Sequence, residues 1–334
     1  MDRQILVTGG SGYVGSHTVR ALRASGLGVV VLDRVPPQDR DDIEAVVGEV
    51  ADAGLLEEVF GRHRIEGVVH FAAYKSVGES MAAPGRYFDN NVAATLVLLE
   101  AMRQAGVGRI VFSSSCSVYG PPERMPVTES SAIRPESPYG ASKAMVEEML
   151  RWYDRIHDLR YVSLRYFNAA GASDDASIGE QTAGARTLIP NVMQAALHPD
   201  RPVTVHGTDY ATPDGSAIRD FVHVLDLADA HVLALRHLFD GGPSRIYNLG
   251  TGHGVSVRQI LDLAERVSGR SIPVRLAARR PGDPPAVWAD STTITADLGW
   301  RPTRGLDDML GSAWRWHQRE HLELCGSTDD VVGE

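Results

Sequence analysis

Of the 33 basic residues in this 334-residue chain, only Lys75 and Lys143 are lysines. Lysine and arginine differ in pKa, shape and hydration, so these two positions are the first places to look for chemistry. Lys143 stands four residues after Tyr139. On a helix that spacing puts both side chains on one face, pointing the same way. An ammonium beside a phenol favours the phenolate, which makes the pair a candidate proton acceptor. With 10 tyrosines in the chain, a given lysine follows one at this spacing by chance about once in thirty cases. The alternative reading is an exposed helix pair. Upstream, residues 113–120 read SSSCSVYG, a run of hydroxyls just past a β-rich stretch at 109–112, and open α/β sheets bind ligands at the carboxyl ends of their strands.

A second constellation is a glycine turn. Residues 8–15, TGGSGYVG, contain Gly10-x-Gly12-x-x-Gly15 and also Gly9-x-x-Gly12-x-x-Gly15. Glycine lets the backbone turn tightly and approach a pyrophosphate, whose charge is met by helix N-terminal amides. The alternative is a plain strand-to-helix turn, but an apolar run precedes the motif and a helical pattern follows it. Asp33 comes eighteen residues after Gly15. An acid there accepts from ribose hydroxyls and repels a 2′-phosphate, which favours NAD over NADP; Arg34 beside it is either a solvated charge or a phosphate partner. Bringing a phenol from about 10 to near neutrality takes roughly 3 units, about 4 kcal/mol. Lys143 together with an oxidised nicotinamide ring can supply much of that.

The elements that must hold these groups alternate. Apolar runs at 5–7, 29–32, 46–50, 67–72, 109–112 and 161–167 read as buried strands. Helical patterns at 15–24, 53–60, 83–105 and 139–157 lie between them. Buried strands separated by helices imply parallel βαβ units. The expected fold is α/β: a Rossmann-like doubly wound parallel sheet with a smaller C-terminal α/β substrate lobe. Residues 1–171 form the expected NAD-binding domain, to which later segments return, and 172–322 mainly the ligand-binding lobe, with helices at 188–197, 225–239 and 257–268. Turn-rich stretches at 179–184, 207–215 and 279–285 interrupt them. The polar, acidic tail 323–334 is expected to be disordered.

Composition narrows the function. A net charge of −10 leaves no basic surplus for nucleic acid, though local arginines can still bind a small anion. Two cysteines, Cys116 and Cys325, give no disulfide framework and suggest a reducing cytoplasm. The opening MDRQILVTGG lacks the features of a signal peptide, and no apolar run approaches a membrane span. The 12 histidines show no metal-ligand spacing, so no metal is expected.

Taken in order, the motifs VTGGSGYVGSH (7–17), HFAAYKSVGES (70–80), FDNNV (88–92), FSSSCSVYG (112–120), SPYGASK (137–143) and LRYFNAAGA (164–172) resemble the extended short-chain dehydrogenase/reductases, and most closely their UDP-hexose 4-epimerases. DYATPDGSAIRDFVHVLDLADAH (209–231) and RRPGDPPAVWAD (279–290) extend the resemblance into the second lobe, so that it covers about residues 3–320.

The resemblance implies UDP-galactose/UDP-glucose interconversion through oxidation and re-reduction at C4 with tightly held NAD. Tyr139 would be the base, Ser115 a proton relay, and Lys143 a ribose ligand that depresses the tyrosine. Gly9, Gly12, Tyr13, Val14, Gly15, Asp33, Glu49, Val50, Phe71, Ala72, Lys75, Asn90 and Phe167 match cofactor contacts. Lys75, Ser115, Tyr139, Asn168, Leu188, His206, Arg219, Arg280, Asp283 and Val287 match the UDP-sugar side, where planar guanidinium groups suit a diphosphate.

Four positions depart from the usual pattern: His206 for an aromatic, Glu49 for an aspartate, Thr187 for an asparagine and Val287 for the tyrosine of epimerases restricted to unacetylated hexoses. Valine would open the pocket to UDP-GlcNAc and UDP-GalNAc. The resemblance also implies a homodimer built on the helices at 83–105 and 139–157; the alternative reading of their apolar faces is packing against the sheet. Epimerisation of another UDP-sugar, a pentose or a uronate, stays open, as more remotely does a non-catalytic NAD sensor. Dehydration needs an acid and a base where Cys116 and Ser117 stand.

Overall fold

The computed structural model describes residues 3–37, 43–182, 187–280 and 283–329. In chain order the first half runs β1 Gln4–Thr8, α1 Tyr13–Ala24, β2 Gly28–Asp33, β3 Glu44–Val47, α2 Ala53–Arg62, β4 Ile65–His70, α3 Val77–Ala82, α4 Pro84–Phe88, α5 Ala94–Gln104, β5 Arg109–Ser113, α6 Pro138–His157 and β6 Arg160–Tyr166. The second half adds β7 Asn168–Ala170, α7 Leu188–Leu197, β8 Val203–His206, β9 Ile218–Arg219, β10 Phe221–His223, α8 Val224–Phe239 and β11 Arg245–Leu249. It ends with β12 Val255–Ser256, α9 Val257–Ser268, β13 Val274–Ala277, β14 Ala286–Val287, α10 Thr292–Leu298 and α11 Leu306–Asp329.

Seven strands form one sheet in the order β3-β2-β1-β4-β5-β6-β11, every pair parallel. Alternate residues of each central strand feed opposite faces, which is why the strands read as continuous apolar runs. Ile5 and Val7 point into a core shared with Val19 and Leu22 of α1 and Leu227 and Leu235 of α8. Leu6, Val30 and Leu32 point into the opposite core with Leu56, Leu98, Val146 and Leu150. Each such aliphatic residue, fully buried, contributes about 1.5–3 kcal/mol. The chain runs from β1 to β2 on one side and reaches β4 on the other. Their carboxyl ends therefore frame a switch-point crevice.

Residue chemistry at the helix ends explains the boundaries. Asp52 accepts the Leu55 amide ahead of α2, and Ser137 accepts the Gly140 amide with Pro138 in the first turn of α6. Ser256 and Gln259 form a capping box on α9, which Gly269 ends in the left-handed region. Each is a recognised way of satisfying orphan terminal groups.

The second lobe is built on small sheets. β7 pairs with β10, β9 with β12 and β14, and β8 with β13. Beneath them α7, α9 and α11 share a core that includes Ile189, Val192, Ile260, Leu263, Leu310 and Trp314.

The structure revises three expected spans. The helix at 83–105 is interrupted by a π-helical turn at Asp89–Ala93. Strand β3 ends at Val47, so Glu49 and Val50 lie in the turn that follows. The last helix continues to Asp329, into the segment expected to be disordered; residues 330–334 lie outside the described residues. No helix among the described residues is long and apolar enough to cross a membrane.

Candidate active site

The glycine turn sits where β1 hands over to α1. Gly9 has φ +73°, and a Cβ there would come within 2.5 Å of the Ala72 amide nitrogen; one on Gly15 would come within 2.2 Å of the Gly9 carbonyl. Neither can carry a side chain without moving backbone. Gly12 precedes α1 in an extended conformation with no side-chain cap, so the first helical amides, Tyr13 and Val14 among them, face the crevice as an anion cradle. Asp33 ends β2 and accepts the Ser11 amide at 3.0 Å. Phe71 and Ala72 both donate their amides to the Thr8 carbonyl, and the Phe71 ring lies 4.7 Å from His231. This cradle fits the pyrophosphate and ribose of a dinucleotide: close backbone, free donors and a carboxylate at the strand end. Val50 is buried against the core, whereas Glu49 beside it is exposed.

Tyr13 closes the turn over the second lobe, donating its hydroxyl to the Gly171 carbonyl at 2.6 Å. Burial holds its phenol well above the ordinary range, and Glu180 adds to the shift. Lys75 is exposed and pairs with Glu180 at 3.0 Å, while Thr187 donates to the other oxygen of Glu180. Asn90 lies in the π-helical turn and donates to Asn91, which in turn binds Tyr74 and Ser142. π-helical turns of this kind recur at functional sites.

Past β5, Ser115 opens a single 3₁₀ turn. It accepts the Ser117 amide and donates to the Ser117 hydroxyl, both at 3.2 Å. Tyr139 enters from the first turn of α6, 7% exposed, with Ser115 near enough to favour ionisation of its phenol. Lys143 lies one turn further, 4% exposed, and donates to the Ser113 carbonyl at 2.7 Å. The sequence reading has Lys143 drawing the phenol towards its anion. In the protein, burial outweighs every other influence on both groups. It pushes the Tyr139 phenol up, Tyr166 adding and Ser115 opposing, and it lowers Lys143 to about 7 with Glu147 opposing. Desolvation penalises whichever form is charged.

Residues far apart in sequence close the pocket. Phe167 packs with Val118, Tyr119 and Ala289, and Cys116 and Val287 lie against this group. Burial pushes the Cys116 thiol up to about 12, with Arg219 opposing and Asp220 adding. Val287 pairs with Arg219 across β14 and β9, and Arg219 makes an ion pair with Asp283. Asn168 donates its side-chain amide to the Asp220 carbonyl at 2.7 Å. The wider set is more dispersed. Leu188 begins α7 and packs on that lobe's core. His206 lies at the end of β8, its Nδ1 3.3 Å from the Ala278 carbonyl. Arg280 is exposed, its carbonyl accepting the Asp283 amide.

Sequence reasoning missed Glu180, Glu147 and Arg165. Glu147 could have been found as one further step of four beyond Tyr139 and Lys143. For Glu180 the sequence offers no signal, because its partners come from 105 residues upstream and from the start of α7.

A parallel sheet with a glycine cradle at its switch point, and a buried serine, tyrosine and lysine at the same carboxyl edge, defines a Rossmann-like dinucleotide-dependent enzyme. The chain belongs to the NAD dependent epimerase/dehydratase family, whose model matches residues 5–250. It is 43% identical over 320 residues to UDP-glucose 4-epimerase of Lactobacillus helveticus, covering 94% of this chain and 97% of that one. Among solved structures, UDP-glucose 4-epimerase from Brucella ovis in complex with NAD superimposes with a TM-score of 0.90 at 42% identity, covering 93% of this chain and 97% of that one. The enzyme from Bifidobacterium longum in complex with NAD+ and UDP gives 0.90 at 38% identity, covering 95% and 99%.

Proposed function

We propose that the chain interconverts UDP-galactose and UDP-glucose, inverting the C4 carbinol by transient oxidation in place. The observation that carries this reading is the buried group of Ser115, Tyr139 and Lys143, with Lys143 one helical turn from Tyr139 and tied to the strand end ahead of Ser115, set at the carboxyl edge of a NAD-type crevice. NAD, when bound, supplies a two-electron acceptor and donor at C4. Tyr139 takes the 4-hydroxyl proton and later returns it, with Ser115 holding the same oxygen. Lys143 binds the nicotinamide ribose and offers the positive charge that a phenolate needs.

Gly9, Gly12, Tyr13, Val14 and Gly15 hold the pyrophosphate, and Asp33 accepts from ribose. Glu49 and Val50 flank adenine, while Phe71, Ala72, Asn90 and Phe167 line the nicotinamide end. Lys75, released from Glu180, reaches phosphate. Arg219, Arg280 and Asp283 hold the UDP moiety with Asn168 and Leu188, and His206 stacks beside uracil. Val287 leaves room near the sugar 2-substituent for N-acetylated hexoses. The enzyme acts in the cytoplasm as a homodimer through the exposed stripe Met145, Trp152 and Ile156 of α6 together with Leu96 of α5.

Incubation with UDP-galactose without added NAD, followed by separation of UDP-glucose, tests the reading. Conversion in the wild type that is lost in Tyr139→Phe supports it; a wild type silent on UDP-galactose, even with NAD supplied, overturns it.

A further inference from the structure

The structure assigns Glu147 a positioning role: through Ser114 it fixes the strand end that carries Ser115, and so sets the Ser115–Tyr139 geometry. This rests on the epimerase reading above. Tyr139, Lys143 and Glu147 are separated by two successive steps of four along α6 and form one buried row. The helix grips two consecutive residues ahead of Ser115. Lys143 donates to the Ser113 carbonyl at 2.7 Å, and Glu147 Oε1 accepts the Ser114 hydroxyl at 2.6 Å.

Glu147 is itself immobilised. Arg165 of β6 donates Nε to its Oε1 at 2.9 Å and Nη2 to its Oε2 at 2.5 Å, a two-pronged pair with both side chains almost wholly buried. The remaining guanidinium nitrogen of Arg165, Nη1, donates to the Tyr119 hydroxyl at 2.8 Å. Tyr119 donates to Asn248 Oδ1 at 2.7 Å, and Asn248 Nδ2 donates to the Val127 carbonyl. The chain of bonds thus starts just before Ser115 and returns through Tyr119, four residues after it. A buried, fully bonded network of this kind specifies one arrangement. A shift of about 1 Å in a reacting group can cost on the order of a hundredfold in rate.

Ser114→Ala removes the tie to Ser115 while leaving the ion pair intact. Its expected result is a kcat about tenfold lower with UDP-galactose, a KM within about twofold of wild type and an unchanged NAD content. Glu147→Gln, which also unpairs Arg165, is expected to lower kcat further. Since that variant can fail for want of folding, Ser114→Ala and its melting temperature decide. A well-folded Ser114→Ala with wild-type kcat overturns the inference and leaves the epimerase reading standing. So does a variant in which KM rises and kcat holds, since that marks a substrate contact. A wild type that fails to convert UDP-galactose overturns both.

Discussion

Lys143 Nζ donates to the main-chain carbonyl of Ser113 at 2.7 Å, so the lysine that spacing pairs with Tyr139 also anchors the strand end leading to Ser115. One side chain thus joins α6 to β5 at the point where the chemistry is proposed. Its burial makes it a measurable quantity.

Lys143 is lowered from the ordinary lysine range to about 7 in the folded protein. Between that value and the ordinary one the unfolded chain binds more protons, so its effect on stability rises with pH. The burial penalty is full below about pH 7 and is relieved towards pH 10. Replacing the lysine by an uncharged residue should therefore help most on the acid side. Urea unfolding of wild type and Lys143→Met at pH 6 and pH 9 checks this. The variant should gain more relative stability at pH 6, and a difference independent of pH would contradict the burial argument.

Two glycines should respond oppositely to alanine. Gly9 combines φ +73° with backbone at 2.5 Å from the missing Cβ. Gly9→Ala should lose about 1–3 kcal/mol and release NAD. Gly61 lies in α2 with nothing near its missing Cβ; Gly61→Ala should be neutral or gain up to about 1 kcal/mol. Thermal melting with NAD quantified in the purified protein reads both.

Val287→Tyr should narrow the substrate range. Val287 lies against the group of Phe167, Val118 and Ala289, as does Cys116, so on the proposed reading a phenol there fills space beside the sugar 2-substituent. Turnover of UDP-GlcNAc should fall at least about tenfold while that of UDP-galactose stays within about threefold. Equal losses on both sugars would show that position 287 does not select the 2-substituent.

Trp152 is 50% exposed and Ile156 64% exposed on the stripe of α6 that also carries Met145. Trp152→Lys should shift a dimer towards monomer in sedimentation equilibrium with the melting curve preserved, because the side chain adds little to the monomer's own core.

Legibility followed locality. The glycine cradle, the Tyr139–Lys143 step and most strand and helix spans could be read because each depends on residues within a few positions. The π-helical turn at Asp89–Ala93 could not, since DNNVA is compatible with an unbroken helix. It is at this turn that Asn91 meets Ser142 and Tyr74, partners supplied by packing. The spacing puts Lys143 one turn from Tyr139 on the same buried face, but the expected pull of the lysine on the phenol omitted the desolvation that burial imposes on both groups.

By itself the sequence determined the alternating strand–helix order, the backbone freedom of the cradle and which side chains share the inner face of α6, because periodicity and glycine act through the local chain. Only the tertiary structure decided that Glu180 would hold Lys75, that Arg219 would face Asp283, and that Glu147 would be locked by an arginine from β6. Those pairings join residues from 18 to 105 positions apart. The Glu147–Arg165 pair exists because folding buries both charged groups, which must then find partners at short range.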